Sequence, residues 1–557
     1  MTIKYGLLID EETFNELYPD LVGHYSFFNN PPPTGISPQE FERRYLSNKL
    51  WRLNHVYTIT DKEGNPVQFK MKHAQHVVYA RARRHPRVIV LKSRQQGIST
   101  LWLVSYFDDA VFQPLLNIGM MAQGVDEAST LLERSKFLWD QLDASVKNFI
   151  GVTLDKDNAK EFSFSNGSKI IIRVSFRSST LQRLHVSEMG KIANNFPIRA
   201  KEVKTGTLQA LARGNTGIIE STAEGMNMFK DMWDQAELAL YSDSMSAKDF
   251  YPVFLSWVVD PDCREPVDQP VDSDAEKYFE KLEEEYTVYR RKFEPEYSGL
   301  RLTKEQKNFW VVQRRELGGD VHQEYPGTPE EAFTASRDGT YWSRQFQEEV
   351  VRKGNVQSDV YDPNLLVDVY LDIGVEDYGV LVFKQWYRGE YRIIDEYFNQ
   401  NYDMAHYMDE AMGRGYKVRA IRFPHDAMVR EYAGGNTGAG GRSRSRLDIA
   451  REKARLEGWD IIIDVVAKDS IANGVEAVRR MIPKLIIDKK CGYIIKCFQR
   501  YSKEWDEKLS AWKKTEKHDE WSHGAAALRY VANDSLEHAS DSMRVEPTRR
   551  RRTGYAV

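Results

Sequence analysis

The sequence predicts an α/β protein with two large domains joined by a connecting segment. Its 557 residues exceed what one ordinary hydrophobic core holds. In the first half, short apolar runs alternate with amphipathic segments, which favours strands linked by helices. In the second half, three consecutive strand-like runs precede a helix and a fourth strand, which favours a mixed sheet.

The composition predicts a soluble globular protein, with 41% hydrophobic and 29% charged residues. No run of about 18 apolar residues occurs, and the N-terminus lacks a basic region followed by an apolar one, so neither a membrane span nor a signal peptide is indicated. The three cysteines, Cys263, Cys491 and Cys497, form no C-x-x-C pair and are expected to be buried apolar residues. The net charge of −4 argues against wholesale coating of DNA, but local basic runs can still bind phosphates.

The first half contains a strand, a tight loop and a helix in direct succession. Val88–Leu91 form a short apolar run suited to a buried strand, and Thr100–Phe112 carry enough apolar residues for a helix packed on a sheet. The loop lies within Leu91–Leu101, LKSRQQGISTL. This order is that of a phosphate-binding loop, although an ordinary turn with a serine at the helix start has the same order.

The loop departs from the usual phosphate-binding pattern, G-x-x-x-x-G-K-[ST]. In that pattern, backbone N–H groups and the helix N-terminus hold phosphates, the lysine reaches the outer phosphates and the hydroxyl holds Mg²⁺. Alignment on Gly97 puts Ile98 at the lysine position, Ser99 at the hydroxyl and Lys92 at the first glycine. The positive charge must therefore come from Lys92 or Arg94.

We expect the nucleotide to contact this loop and one glutamine upstream of it. A glutamine just before such a loop can recognise the edge of adenine, although a lone glutamine is more often a surface residue. The predicted nucleotide-contacting residues are Gln75, Lys92, Ser93, Arg94, Gln95, Gln96, Gly97, Ile98, Ser99 and Thr100, with Ser99 also a ligand of Mg²⁺.

The alternation of strands and helices continues after the loop. Asn117–Ala122 suit a second strand and Val125–Leu142 an amphipathic helix. Asn166-Gly167 stands between two β-rich runs, which is a strong hairpin pattern.

A carboxylate and a small polar segment then follow two further strands. A nucleotide hydrolase needs a carboxylate at a strand end to polarise the attacking water, and Glu188 is placed for this role. The aspartate that usually precedes it and holds Mg²⁺ through water is replaced by Ser187. The strand in Ile218–Gly225 ends in Ser221, Thr222 and Ala223, small residues suited to sensing the γ-phosphate.

The second half predicts a different sheet. Residues 260–362 are rich in charged and aromatic residues and predict helical connecting structure. The elements expected next are strands at Leu366–Asp372, Gly379–Gln385 and Tyr391–Tyr397, a helix at Tyr402–Met412 and a strand at Val418–Phe423. This βββαβ order opens a ribonuclease H-like fold.

Two aspartates stand at strand ends of this predicted sheet. Asp372 ends the first strand and Asp426 follows the fourth, so parallel neighbouring strands would bring them together. Ribonuclease H-like folds cut phosphodiesters with two divalent metal ions held by carboxylates, one activating water and one stabilising the leaving oxygen. A single strand-end aspartate is usually a turn or cap residue, but two at these positions predict metal ligands.

The ordered series of motifs resembles the large terminase subunit of tailed double-stranded DNA bacteriophages, an ATP-driven DNA-packaging motor with an attached nuclease. The resemblance runs from about Lys72 to about Ala532. It is carried by KSRQQGIST (Lys92–Thr100), RSSTLQRLHVSEMGK (Arg177–Lys191), IIESTAEG (Ile218–Gly225), QEYPGTPEEAF (Gln323–Phe333), LDIGVEDYG (Leu371–Gly379) and PHDA (Pro424–Ala427).

The resemblance implies a P-loop ATPase domain of the additional-strand, catalytic-glutamate type, followed by the nuclease domain. Some members of the family place the loop lysine at its first position, where Lys92 stands. The resemblance further implies that Gln75 recognises adenine, that Glu188 is the catalytic carboxylate, and that Ser221–Ala223 couple hydrolysis to DNA movement. Arg177 is the candidate arginine finger, with a surface or DNA-facing arginine as the alternative.

The third carboxylate of the nuclease is missing. The family pattern S-H-x-A-D-A-x-R-Y places an aspartate on a late helix, whereas Ser522–Tyr530 read SHGAAALRY and have Ala526 at that position. Asp519 could substitute only if the helix extends that far, and Trp521-Ser522 is more typical of a helix start. We therefore expect a severely impaired nuclease, whether the loss is natural or introduced.

The expected organisation is an unassigned arm at 1–60, a P-loop ATPase domain at 61–259, a connecting or lid segment at 260–362, a nuclease domain at 363–535 and a basic flexible tail at 536–557. The resemblance implies ATP and Mg²⁺ as cofactors, with Mg²⁺ or Mn²⁺ in the nuclease site. The implied partners are double-stranded DNA, a phage portal protein, a small terminase subunit and further copies of the chain in a ring, commonly of five. No membrane is implied; the expected location is the cytoplasm of the infected bacterial host and not the mature virion.

Two other functions are consistent with the departures from the usual phosphate-loop pattern and from the usual nuclease pattern. One is a helicase or recombination ATPase fused to a nuclease-like domain. The other is a non-catalytic DNA-binding or capsid-assembly protein that keeps a degenerate nucleotide fold.

Overall fold

The computed structural model describes residues 4–158, 161–176, 180–209, 211–288, 300–335, 339–373, 378–400, 402–428, 445–506 and 511–534. The chain forms two compact units, Met1–Ser336 and Arg337–Val557. None of the helices in these ranges is both long and apolar enough to cross a bilayer. The three cysteines are buried free thiols, as predicted.

The first unit consists of a large sheet, a two-stranded ribbon and helices. Its strands are β1 (Thr58–Thr60), β2 (Pro66–Gln68), β3 (Arg87–Lys92), β4 (Asn117–Met121), β5 (Leu154–Asn158), β6 (Glu161–Phe164), β7 (Lys169–Arg173), β8 (Leu181–Ser187), β9 (Leu211–Ser221) and β10 (Tyr251–Leu255). Its helices are α1 (Glu11–Leu17), α2 (Tyr25–Asn29), α3 (Pro38–Phe41), α4 (Lys49–His55), α5 (His73–Arg84), α6 (Ile98–Phe112), α7 (Val125–Asp140), α8 (Ala144–Ile150), α9 (Met189–Asn195), α10 (Pro197–Glu202), α11 (Met228–Tyr241), α12 (Ser273–Val288), α13 (Lys304–Leu317), α14 (Val321–Glu324) and α15 (Pro329–Ala335).

The strand order of the large sheet is β10-β3-β9-β8-β4-β7-β6-β5. The strands from β10 to β7 run parallel, and β6 and β5 continue the sheet antiparallel. The predicted hairpin joins β6 to β7, with Gly167 at a φ of 81°. One additional strand, β9, separates β3 from β8, which is the arrangement that the resemblance implies.

Alternate residues of β3 enter different apolar clusters on the two faces of the sheet. Val88 and Val90 belong to one cluster with residues of α5 and α6, whereas Ile89 and Leu91 belong to another with residues of α9 and α11. Because both faces are covered, β3 is buried along its whole length. The predicted buried strand and the predicted helix after the loop are both confirmed.

The first unit joins segments that the sequence analysis kept apart. Phe14 and Trp51, from the predicted arm at 1–60, are buried in the cluster that contains Val88. Phe279 and Trp310, from the predicted connecting segment, are buried in the cluster on the other face. The large aromatic side chains of these segments therefore form part of the core, and the compact unit extends to Ser336.

Two buried histidines make the stability of this unit depend on pH. Burial lowers the pKa of His55 to about 4 and that of His76 to about 3. The Nδ1 atom of His55 is bonded to the Trp51 carbonyl and that of His76 to the Tyr18 hydroxyl, and within the described ranges neither Nε2 atom has a hydrogen-bond partner. Protonation would thus place an unpaired charge in the core.

We expect the free energy of unfolding to decrease as the pH falls below about 6.5. The reason is that His55 and His76 bind protons more readily in the unfolded chain than in the folded one. Each histidine should contribute a loss of about 1.4 kcal/mol per pH unit down to its folded pKa. Urea unfolding at pH 7.5 and pH 5.0 measures the loss. In His76→Gln the fall in the urea midpoint should be smaller than in the parent; an equal fall would contradict this assignment.

The second unit is built around a seven-stranded mixed sheet. The strands of this sheet are β11 (Val356–Gln357), β12 (Val367–Ile373), β13 (Tyr378–Tyr387), β14 (Glu390–Gln400), β15 (Val418–Phe423), β16 (Ile462–Val465) and β17 (Leu485–Asp488). Two further strands, β18 (Lys503–Asp506) and β19 (Ala511–Glu516), form a separate two-stranded sheet. Its helices are α16 (Ser343–Phe346), α17 (Met404–Gly413), α18 (Arg446–Glu457), α19 (Ile471–Met481), α20 (Gly492–Arg500) and α21 (Glu520–Asn533).

The sheet order of this unit is β11-β17-β14-β13-β12-β15-β16. Three antiparallel strands, β14, β13 and β12, are followed by β15 and β16 parallel to β12. The predicted βββαβ order is therefore present, with α17 as its helix. The helix α21 packs on β12 and β13 and covers the face that carries Asp372.

Candidate nucleotide site and candidate nuclease site

The predicted phosphate loop lies at the carboxyl edge of the parallel strands, where open α/β sheets bind their ligands. Lys92 is the last residue of β3, Ser187 the last of β8 and Ser221 the last of β9. Since β9 pairs with both β3 and β8, these three ends are adjacent. The sheet order thus brings together residues that are far apart in the sequence.

The loop makes a sharp turn before α6. Gln95 and Gly97 have positive φ angles of 65° and 70°, a conformation that only glycine adopts without strain. A Cβ atom at position 97 would lie 2.8 Å from Gln75 Nε2. Gly97 is therefore required both for the turn and for the close approach of Gln75. The turn directs the chain into the N-terminus of α6, which is a favourable end for phosphates.

Gln75, the predicted adenine-recognising residue, lies against the loop. Its Nε2 donates a hydrogen bond to the Gly97 carbonyl at 2.7 Å, and its Oε1 accepts one from the Lys72 N–H at 2.8 Å. The side chain is buried. In this structure the backbone occupies both ends of the amide, so Gln75 shapes the loop.

Two residues from later parts of the unit hold the loop. The Arg94 N–H donates to the Glu324 carbonyl at 2.9 Å, and the Arg94 guanidinium lies 3.3 Å from the Glu324 carboxylate. Gln96 Nε2 donates to Asp260 Oδ2 at 2.8 Å. Sequence reasoning recognised the segment around Glu324 as a landmark but did not connect it to the loop.

Lys92 is buried between two carboxylates. Its Nζ lies 3.0 Å from Glu188 Oε1 and 3.2 Å from Glu220 Oε2. Burial alone would lower the pKa of Lys92, but the negative charges of Glu220 and Glu188 raise it above its ordinary range. The two carboxylates therefore favour the charged form of Lys92 at the start of the loop.

Ile98 explains why the conventional lysine position is not used. The residue is 1% exposed and belongs to the apolar cluster beside β3. A lysine at this position would bury its ammonium group among apolar side chains, which is strongly unfavourable. The buried position of Ile98 is therefore unsuited to a lysine, which is consistent with Lys92 as the predicted loop cation.

Glu220 is a central residue that sequence reasoning missed. It is fully buried in β9, and its Oε1 accepts hydrogen bonds from the Ser99 hydroxyl at 2.6 Å and the Ser187 hydroxyl at 2.8 Å. Burial alone would raise the pKa of Glu220, but Lys92 and His185 lower it well below its ordinary range. A single acidic residue within the apolar run IIES was the sequence feature that could have identified it.

Glu188 adopts a strained conformation at the start of α9. Its φ and ψ of 55° and 48° are left-handed, which costs a non-glycine residue about 1–3 kcal/mol and is concentrated at functional sites. The Ser221 hydroxyl donates to Glu188 Oε2 at 3.4 Å and accepts from the Gly190 N–H at 2.9 Å. Ser221 therefore links the end of β9 to the predicted catalytic carboxylate.

The other predicted residues surround this centre. Thr222 and Ala223 are buried, and the Ala223 carbonyl accepts from Gln323 Nε2 at 3.1 Å. Thr100 is half-buried in the first turn of α6. Arg177 lies outside the described residues, so the arginine finger stays a prediction.

The oxygen atoms around Ser99 suit a nucleotide-bound Mg²⁺ ion. Mg²⁺ prefers oxygen ligands and combines one or two carboxylates with phosphates and water. The hydroxyls of Ser99 and Ser187 both point at the Glu220 carboxylate. The residues of the first unit therefore fit Mg²⁺ with ATP.

Asp372 and Asp426 follow two neighbouring parallel strands in the second unit. Asp372 lies near the end of β12, and Asp426 lies in the turn after β15. Burial raises the pKa of Tyr530, and the charges of Asp372 and Asp426 raise it further. The charges of both predicted metal ligands thus act on the same tyrosine hydroxyl.

Ala526 lies on the face of α21 that meets Asp372. His523 Nδ1 is 3.2 Å from Asp372 Oδ2, and the Tyr530 hydroxyl donates to Asp372 Oδ1 at 3.4 Å. Positions three before and four after Ala526 share its helix face. Ala526 itself is 8% exposed. The helix therefore places position 526 where the resemblance implies a third carboxylate.

The Asp519 side chain caps the start of the same helix. It is the N-cap of α21, and its Oδ1 accepts from the Trp521 N–H at 3.1 Å. Burial raises the pKa of this carboxyl group, against the opposing charge of Lys517. The helix begins after Asp519, so Asp519 caps it and does not extend the face of Ala526.

Buried polar groups hold the other end of α21. The Tyr370 hydroxyl donates to Asp534 Oδ2 at 2.7 Å and accepts from Lys384 Nζ at 2.8 Å. Arg422 Nε lies 3.3 Å from the same Asp534 oxygen. These contacts fix the register of α21 on the sheet and hence the position of Ala526.

The candidate nuclease site of the second unit has too few side chains that could bind a metal ion. Among the described residues, no group of three or more His, Cys, Asp or Glu side chains could hold a metal ion. Two aspartates with an alanine at the third position do not fit a pair of divalent metal ions.

The first unit is an α/β fold in which β9 lies between β3 and β8, and the second unit has a mixed sheet with the predicted βββαβ order. Neither a protein-family model nor a curated protein matches the chain. Among solved structures, the chain is similar to a large terminase of a thermophilic bacteriophage in complex with ADP, with 14% identity over 82% of this chain and 95% of the other and a TM-score of 0.27. The nuclease domain of the phage SPP1 large terminase with bound manganese shows 15% identity over 33% of this chain and 95% of the other, with a TM-score of 0.24. That of phage G20c with bound magnesium shows 12% identity over 35% and 97%, with a TM-score of 0.23.

Proposed function

We propose that this chain is an ATP-driven double-stranded DNA translocase that packages a phage genome into a preformed capsid. We infer in addition that its second unit is an endonuclease domain impaired by Ala526. One observation carries the motor part of the proposal. Lys92 lies 3.0 Å from Glu188 and 3.2 Å from Glu220, which itself accepts a hydrogen bond from Ser99, so a cation, a base and a hydroxyl meet at one sheet edge.

The contacts of Lys92 suggest how nucleotide binding and hydrolysis are linked. Lys92 would meet the outer phosphates, and the N-terminus of α6 would hold the phosphate chain. In the structure, Lys92 is paired with Glu188. When Lys92 turns to a phosphate oxygen, Glu188 loses its cation and becomes free to polarise water. One ammonium group thus couples phosphate binding to activation of the base.

The same contacts supply a path for transmitting the state of the nucleotide. Ser221 touches Glu188 and the start of α9, and the Ala223 carbonyl holds Gln323. The segment that follows Gln323 includes Glu324, which is bonded to the loop. A change at Glu188 would therefore act on the helices after α13, which supports the proposed coupling role of Ser221–Ala223.

The partners belong to the proposal. The motif resemblance supports double-stranded DNA as the substrate, with a portal protein and a small terminase subunit as partners and a ring of copies on the capsid. The site of action would be the cytoplasm of the infected bacterial host, and the protein would be absent from the mature virion. Mg²⁺ with ATP suits the first unit, and Mg²⁺ or Mn²⁺ would serve a repaired second unit.

Displacement of a triplex-forming strand from duplex DNA tests this function. We expect the purified chain to displace the third strand only with hydrolysable ATP, and we expect Glu188→Gln to lose displacement, because it keeps the shape of the side chain without its charge. Displacement should not require a free single-stranded end. Separation of a forked duplex without triplex displacement would instead support the helicase alternative.

A further inference from the structure

We propose that Glu220 supplies the carboxylate that holds the Mg²⁺ ion of the nucleotide, in place of the aspartate that Ser187 replaces. The inference rests on the proposed ATPase function and assigns a residue that the usual motif does not contain. The charge that holds the metal would then lie on β9 and not at the end of β8, next to Glu188.

The position of Glu220 in the sheet supports this assignment. In the sheet register, Glu220 stands beside Val90 on one side and beside Ser187 on the other. It is therefore between the loop strand and the strand whose end carries Ser187 in place of the usual aspartate. A glutamate side chain is one methylene longer than aspartate and can reach the same space from the adjacent strand.

The contacts of Glu220 are those of a carboxylate facing a metal site. Its Oε1 lies 2.6 Å from the hydroxyl of Ser99, the residue that the loop pattern assigns to Mg²⁺, and 2.8 Å from that of Ser187. Its Oε2 lies 3.2 Å from Lys92 Nζ but, among the described residues, makes no hydrogen bond of good geometry. The carboxylate is fully buried, so bulk water does not reach the Oε2 atom and this atom can still accept a further interaction.

The charges of the site favour a divalent cation once phosphates enter. In the structure, Lys92 faces two carboxylates, Glu188 and Glu220. A triphosphate adds further negative charge and competes for the same ammonium group. Glu220 would then be left buried without its cation, which is strongly unfavourable. Ser99 and Glu220 would hold a Mg²⁺ ion whose positive charge offsets that of the carboxylate and the phosphates, whereas Ser187 brings no charge of its own.

A purely structural ion pair between Lys92 and Glu220 makes a different prediction. In that case, removal of the Glu220 charge would lower stability and weaken nucleotide binding to the same extent at every Mg²⁺ concentration. If Glu220 holds the metal, the change appears in the Mg²⁺ concentration that binding requires. An aspartate introduced at position 187 should then lower the required Mg²⁺ concentration again.

Titration of Mg²⁺ against the fluorescence of bound mant-ATP, read within the first seconds after mixing, measures this requirement as binding and not as a rate of hydrolysis. We expect Glu220→Gln to raise the half-saturating Mg²⁺ concentration by about 10-fold to 100-fold. The double variant Ser187→Asp/Glu220→Gln should return the half-saturating Mg²⁺ concentration to within about 3-fold of the parent value. A small difference would remain because the new ligand comes from a different strand. Thermal unfolding without nucleotide identifies any loss of fold, and Glu220→Asp, which keeps the charge beside Lys92, replaces Glu220→Gln if the latter does not fold.

The outcomes separate this inference from the proposed function. If the parent binds mant-ATP with Mg²⁺ and the Glu220 variant that folds shows the same Mg²⁺ requirement, the inference is wrong and the ATPase proposal stands. A requirement that is raised but not relieved by Ser187→Asp also overturns it, because Glu220 would then act on the site as a whole. If the parent does not bind mant-ATP at any Mg²⁺ concentration, the ATPase proposal itself falls.

Discussion

Replacement of Ala526 by aspartate is expected to create a nuclease that depends on a divalent metal ion. Position 526 lies between His523 and Tyr530 on the helix face that meets Asp372. Loss of groups that merely support metal ligands costs about 10-fold to 100-fold, so restoration of a direct ligand should raise cleavage by at least about 100-fold. Conversion of supercoiled plasmid to nicked and linear forms, with Mg²⁺ or Mn²⁺, measures the gain.

Two matched variants separate metal binding from a change in packing. Ala526→Asn introduces a side chain of the same shape without charge and should leave the chain as inactive as the parent. The double variant Ala526→Asp/Asp372→Asn should lose the gained activity, because Asp372 is a predicted ligand. If Ala526→Asp cuts plasmid no better than the parent, the third ligand has been placed wrongly.

Replacement of Lys92 by alanine is expected to reduce ATP hydrolysis by roughly 100-fold to 1000-fold, the usual cost of removing one group that stabilises transition-state charge. The variant also leaves Glu220 buried without its cation, which should cost about 3–5 kcal/mol of stability. Hydrolysis measured beside thermal unfolding distinguishes the two effects.

The double variant Lys92→Ala/Glu220→Gln provides the control for stability. Both charges of the pair are absent, so the unfolding temperature should recover, whereas hydrolysis should stay low. Addition of Ile98→Lys to Lys92→Ala should not restore activity, because position 98 is buried in the apolar core. Recovery of hydrolysis in the Lys92→Ala/Ile98→Lys variant would contradict the assignment of Lys92 as the loop cation.

Much of the fold could be predicted because its elements have strong local patterns. The apolar run of β3, the Asn166-Gly167 hairpin and the βββαβ order are all visible in the sequence and present in the structure. The extent of the first unit could not be predicted. Whether an aromatic residue such as Trp51 or Trp310 serves a core depends on contacts between distant segments, and these leave no local pattern.

The candidate sites divide in the same way. Lys92, Ser99 and Glu188 belong to motifs of recognisable order, and Ala526 stands out by departing from one. Glu220 lies within IIESTAEG, but that motif assigns it no role; its contacts appear only when β9 is inserted between β3 and β8. Glu324 is likewise distant in sequence from the loop that it holds. Sheet order decides the contacts of Glu220, and the packing of α14 beside the loop decides that of Glu324; a single sequence states neither.

ATP hydrolysis by the purified chain, with and without double-stranded DNA, tests the central claim most directly. We predict hydrolysis that DNA stimulates in the parent and that is lost in both Lys92→Ala and Glu188→Ala, while binding of mant-ATP persists in Glu188→Ala. An inactive parent, at any DNA concentration, would contradict the account and favour a non-catalytic DNA-binding or capsid-assembly protein.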